Sequence, residues 1–124
     1  MSGLLLIVAL AHAVPAMAFF DAGLLQVFYG VAADDPSLSV LLRHRALLFA
    51  IVAGILALGA FRPLYRAFAL TVGWLSIGSY VFLAMSINGV SSLLHRVAMV
   101  DLVLGAALAI ATGLAVASAR KALA

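Results

Sequence analysis

Cysteine is absent from the 124 residues, which excludes disulfides, thiolate metal sites and CxxC redox chemistry. Charge is nearly absent as well. Charged residues make up 9% of the chain, against about 25% in an ordinary soluble domain. A chain so short of charge cannot cover its outer surface for water. Acids are scarcest: four against seven lysines and arginines, for a formal net charge of +3. That excess does not indicate nucleic acid, because no charge run or basic aromatic groove accompanies it. The signatures of soluble enzymes are missing too, with no phosphate loop, dinucleotide fingerprint, nucleophile elbow or zinc-protease helix. Prolines number only three, Pro15, Pro36 and Pro63, so long helices go largely uninterrupted.

What is present is hydrophobic: 68% of residues. The length suits one domain, residues 1–124, without a separate soluble catalytic module. Apolar runs predict an all-α integral membrane protein, a four-helix up-down bundle with spans over about 3–20, 36–61, 64–87 and 92–118. The stretch from Leu4 to Ala18 also has features of a secretory signal peptide, because Ala16-Met17-Ala18 resembles an A-x-A cleavage site. No lysine or arginine precedes it, and it reads better as the first span. Between the first two spans, Leu24, Leu25, Val27, Phe28 and Val31 follow helical spacing, which suits a short helix in the headgroup layer. Gly30 offers that helix a stop. Asp34-Asp35-Pro36-Ser37 is a helix start: an acidic cap with proline in the first turn.

Small residues stripe the second span. Ala46, Ala50, Ala53, Gly54, Ala57 and Ala60 recur at steps of three and four behind Arg43, a pattern that lets a second membrane helix approach closely. Gly73, Ser76 and Tyr80 share a face of the third span, and Asn88-Gly89 ends it. Arg62, Arg66, Arg120 and Lys121 fall on one side of the predicted bundle. The positive-inside rule makes that side cytoplasmic, with both termini, in a bacterial inner membrane.

The charges that remain inside the spans are the informative ones. Arg43-His44-Arg45 opens the second span and His95-Arg96 the fourth. A constant offset aligns His44 with His95, Arg45 with Arg96 and Gly54 with Gly105, the pattern a duplicated hairpin leaves. Asp101 is the one acid inside a span. Arg96 lies five residues before it on the same helix, roughly 140° around, and is poorly placed to pair with it. Arg43 or Arg45 is the better partner, in a bidentate cross-helix ion pair. Three readings follow. The pair rivets the helices and does nothing more, or a free arginine grips a lipid headgroup, a quinone or a similar lipophilic ligand, or the charges serve ion passage. The candidate ligand-binding residues are Arg43, His44, Arg45, His95, Arg96 and Asp101. No catalytic residue is expected, nor a cofactor. A metal at His44, His95 and Asp101 is disfavoured by the adjacent arginines. His12, close to Pro15, is expected to bond a carbonyl that the proline frees. As a proton relay it would need a partner such as Tyr80.

Tyr29-Gly30-Val31, Asp35-Pro36, Leu42-Arg43-His44-Arg45-Ala46 and Arg62-Pro63 together resemble a group of small bacterial four-helix membrane proteins, loosely similar to the DoxX-like superfamily. The resemblance implies that the Arg-His-Arg entrance and the Arg96/Asp101 region matter. DoxX relatives include a subunit linked to quinone-dependent sulfur oxidation. Expected partners are the bilayer, a lipid or quinone, and other membrane subunits or a second copy, with no nucleic acid. The readings that compete are a ligand-binding membrane protein, a non-catalytic accessory or assembly subunit, and a quinone-linked redox subunit.

Overall fold

The computed structural model describes residues 1–31 and 34–123. Ala32, Ala33 and Ala124 lie outside them. The described chain is helical, in five helices: α1 (Ser2–Ala16), α2 (Gly23–Tyr29), α3 (Pro36–Phe61), α4 (Arg66–Ser86) and α5 (Ser92–Leu123). Four helical stretches are long and apolar enough to cross a membrane: Ser2–Phe19, Pro36–Phe61, Pro63–Ser86 and Ser92–Leu123. They make this a multi-pass membrane protein. The fourth continues past the 118 expected from the sequence. At about 1.5 Å per residue, its 32 residues exceed a hydrocarbon core of about 30 Å, and the surplus carries Arg120 and Lys121.

Local chemistry explains the breaks. Pro15 has no amide hydrogen to donate in the last turn of α1, and the helix tightens into a 3-10 turn, Met17–Phe19. The Asp21 carboxylate accepts from the Gly23 amide at 2.8 Å and starts α2. Gly30 ends it at φ 66°, a conformation that favours glycine, and its amide donates to the Gln26 carbonyl at 2.9 Å. A side chain at this position would also meet Leu93 of α5, 2.7 Å from where its Cβ would stand. α3 begins as its sequence predicts, with Asp35 accepting from the Ser37 amide at 2.8 Å and Pro36 in the first turn. It stops at Arg62, whose extended backbone suits a residue preceding proline.

α1 packs on α3, α3 on α4, α4 on α5, and α5 returns to α1, closing the circuit. Its core joins Leu5 and Val8 of α1, Leu56 of α3, Leu70 and Ile77 of α4 and Leu108 of α5. Leu56 and Leu108 meet over Gly73, where a Cβ would lie 3.1–3.3 Å from their methyl groups. α3 and α4 come closest where Gly59 faces the methyl of Ala69. The expected small-residue stripe is therefore used in part: Ala46 and Ala60 are buried, whereas Ala50 and Gly54 are exposed. Large apolar side chains such as Leu10, Val40, Phe61, Leu75, Phe82 and Val103 point outward, as lipid-facing residues do. A second, smaller core lies beneath α2, made of Ala18, Leu25, Tyr29 and Ala46.

Candidate functional site

A cavity of about 280 Å³ opens between α1, α2, α3 and α5. Most of its wall is apolar, from Val14 of α1, Phe28 of α2, Phe49 of α3 and Val97, Val100 and Leu104 of α5. Its polar groups are His12, Tyr29, Arg45, Arg96 and Asp101. Helix periodicity explains the α5 wall, since Leu93, Val97, Asp101 and Leu104 recur at steps of three and four and share a face.

Arg45 is the centre of the site. Its guanidinium carbon lies over three aromatic rings, Tyr29 at 5.2 Å, Phe49 at 5.1 Å and Tyr80 at 5.1 Å. The rings come from three helices, α2, α3 and α4. Phe49 follows Arg45 by one turn, the spacing that lets two side chains of one helix meet. Cation–π attraction grows to about 2 kcal/mol or more per contact in desolvated surroundings. Three rings can therefore hold a guanidinium inside a membrane domain without a carboxylate. Tyr80 is held in turn, its hydroxyl donating to the Leu94 carbonyl of α5 at 3.2 Å. Tyr29 is 6% exposed. Burial pushes its phenol above the usual tyrosine value, and the nearby Arg45 cation pulls it part of the way back.

His12 is 4% exposed, and both ring nitrogens are engaged. Nδ1 lies 2.9 Å from the Val8 carbonyl, which can only accept, so Nδ1 carries the proton. In the neutral ring Nε2 is then an acceptor, and Ser76 Oγ donates to it at 3.1 Å. The ring also meets Phe49 edge to face, with centroids 5.7 Å apart. The sequence reading needs two corrections here. Pro15 frees the Ala11 carbonyl, but His12 bonds the Val8 carbonyl, four residues before it; and the α4 partner is Ser76, one turn from Tyr80. His12 is a fastener between α1 and α4 and a wall of the cavity.

Of the six residues singled out from the sequence, three line the cavity: Arg45, Arg96 and Asp101. Arg43 is exposed and turns to the end of α1, where Nε donates to the Phe19 carbonyl at 2.9 Å and the guanidinium lies 5.8 Å from the Phe19 ring. His44 is exposed. His95 is also exposed, its Nδ1 donating back to the Ser91 carbonyl at 3.3 Å. Adjacent helical residues are about 100° apart, so an Arg-His-Arg run cannot turn all its members inward. The predicted bidentate pair is not formed: among the described residues no salt bridge joins Asp101 to an arginine. Arg43 is occupied at Phe19, and Arg45 is taken up by rings. Asp101 faces the same cavity as Arg45 and is half-buried. No group of three metal-ligating histidine or aspartate side chains gathers among the described residues.

Sequence reasoning missed Tyr29, Phe49 and His12 as parts of one site. The steps Arg45 to Phe49 and Ser76 to Tyr80, each one helical turn, were the available signal. The chemistry the cavity offers is recognition: an apolar slot with a fixed cation, a second arginine and a carboxylate on its rim. No family model, no curated protein and no solved structure matches this chain.

Proposed function

We propose that this protein is an up-down four-span bundle of a bacterial inner membrane, with both termini cytoplasmic, that binds a lipophilic molecule through a polar headgroup. The observation that carries the reading is Arg45. A charge at membrane depth costs about 2.5–3.5 kcal/mol on insertion scales. Here three rings support it without cancelling its charge, and of its five N–H donors the Tyr80 hydroxyl engages only part, which leaves others for a ligand. Apolar walls beside a few convergent polar groups are the usual form of a small-molecule site. A lipid headgroup or a quinone meets these requirements, and a quinone is what the DoxX-like resemblance suggests. The protein would then be a binding protein or the quinone-linked part of a larger redox assembly.

Native mass spectrometry of the protein purified with its lipids tests this. A retained molecule of defined mass, lost on Arg45→Met in a variant that still melts cooperatively, is the expected result. Wild-type protein that carries nothing beyond detergent and exchangeable bulk lipid would refute it. A second reading, an accessory subunit that docks on other membrane proteins, is favoured by the exposed Ala50 and Gly54 on α3, where a Cβ on Gly54 would meet nothing. Co-purification of a stoichiometric membrane partner lost on Gly54→Leu would move the reading there.

A further inference from the structure

The charges on the cavity wall are unequal, and the imbalance selects among lipophilic molecules. Arg45 and Arg96 bring two positive charges to it, and Asp101 can offset at most one of them. Both guanidiniums stay protonated at any working pH. The attraction between Arg45 and Asp101 is not consummated in a salt bridge, so the carboxylate does not occupy the arginine donors. Arg96 is exposed and stands at the rim, one turn above Val100 on α5. A neutral carbonyl compound would leave at least one positive charge uncompensated beside apolar walls, whereas an anionic headgroup would offset it.

The shape indicates the rest of the ligand. Val14 of α1 and Val100 of α5 line the cavity and are also 50% and 56% exposed. The wall therefore continues to the outside of the bundle between α1 and α5, on a surface the membrane reading assigns to acyl chains. Toward the chain's α2 side, Phe28 and the buried Tyr29 form the wall. An amphiphile can enter sideways from lipid. About 280 Å³ lies at the lower edge of ordinary ligand pockets, roughly 300–1,000 Å³, which is room for a small head and part of one chain.

Resting on the reading of this cavity as a lipophilic-ligand site, we infer that its ligand is a single-chain anionic amphiphile, a long-chain carboxylate being the simplest. Its headgroup lies between Arg45 and Arg96, and its chain leaves between Val14 and Val100. Asp101 opposes the anion and holds the affinity down, so that the ligand can return to the bilayer.

Native mass spectrometry of the full chain in detergent, titrated with oleate, methyl oleate and phosphatidylglycerol, tests the inference. Oleate should form a one-to-one adduct, with methyl oleate weaker by about tenfold or more, the worth of a charge-assisted contact, and phosphatidylglycerol, which keeps the negative charge but adds a second chain, weaker than oleate. Asp101→Asn should tighten oleate several-fold. Arg45→Met should weaken it by about tenfold and leave the ester unchanged. Should Arg45→Met fail to fold, Arg96→Gln changes an exposed residue and should shift oleate in the same direction. Methyl oleate binding as tightly as oleate would overturn the anion while leaving a lipophilic site in place. Phosphatidylglycerol binding more tightly than oleate would overturn the single chain. Binding of none of the three would overturn this inference, and the reading beneath it falls with it only where the purified protein also retains no lipophilic molecule.

Discussion

Two glycines five residues apart on α3 should respond to alanine with opposite signs. At Gly59 a Cβ would run into the buried methyl of Ala69, with the Tyr65 carbonyl 3.5 Å and the Arg66 Cα 3.6 Å away. None of these neighbours is the free end of a flexible side chain. The connector through Arg62 and Pro63 ties α3 and α4 together beside the contact, so the helices cannot easily part. Overpacking of this kind costs about 1–3 kcal/mol, partly offset by the roughly 0.5–1 kcal/mol alanine gains over glycine inside a helix. Gly59→Ala should therefore lose on the order of 1–2 kcal/mol. At Gly54 nothing lies within 4 Å of an added Cβ, and only the helical gain of about 0.5–1 kcal/mol remains. Thermal unfolding in one detergent, followed by circular dichroism, measures both. Gly59→Ala should melt several degrees below wild type (about 4 °C per kcal/mol for a chain near this size) and Gly54→Ala at or above it. Ala69→Gly should restore the Gly59→Ala protein. Gly59→Ala melting above wild type, or Gly54→Ala melting well below it, would refute the packing described here.

Three further outcomes follow from the site. Asp101→Asn should change the melting temperature little, by less than about 1 kcal/mol, because no contact ion pair is broken; a loss of about 3–5 kcal/mol would mean that a buried pair exists after all. His12→Ala should destabilise by about 2–4 kcal/mol through the lost ring and its bonds to Val8 and Ser76, and Ser76→Ala by less; no change in the His12→Ala melting curve would deny the fastener. Tyr29 gives a pH dependence. Its phenol is raised above 10.0 in the folded protein, so the native state holds a proton that the unfolded chain releases. That contribution is complete below pH 10.0 and is lost as pH rises through the higher folded value. Wild-type stability should fall as pH rises from 10.0 toward that higher value, and Tyr29→Phe should flatten the fall; identical alkaline profiles would contradict it.

The four membrane helices were legible because apolar runs of sufficient length end at strong punctuation: Gly30, Asp35-Pro36, Arg62-Pro63 and Gly89. α2 was legible from its spacing and its glycine. Packing was less so. In a water-soluble helix one face is apolar and the pattern fixes its rotation, but a membrane helix is apolar on every side. Gly54 and Gly59 look alike in sequence, yet only Gly59 lies at a crossing. The apparent repeat shows the same limit: its glycines part company, Gly54 exposed and Gly105 buried, although Arg45 and Arg96 both reach the cavity.

The candidate site was half legible for a related reason. Charge inside a span is rare enough to be noticed, which brings Arg45, Arg96 and Asp101 into view without any structure. The natural inference is that opposite charges pair. It fails here because an arginine has a second means of support that leaves no trace in the count of charges. Tyr29, Phe49 and Tyr80 are unremarkable members of apolar helices until the helices are set in rotation against one another. The consequence is functional. An arginine locked to a carboxylate has its donors occupied and its charge cancelled, and such a pair is a structural part. An arginine held by rings retains its charge and part of its donors, and Asp101 across the cavity is not locked to it. Under the proposed reading, residues that would make a rivet when paired serve recognition when kept apart.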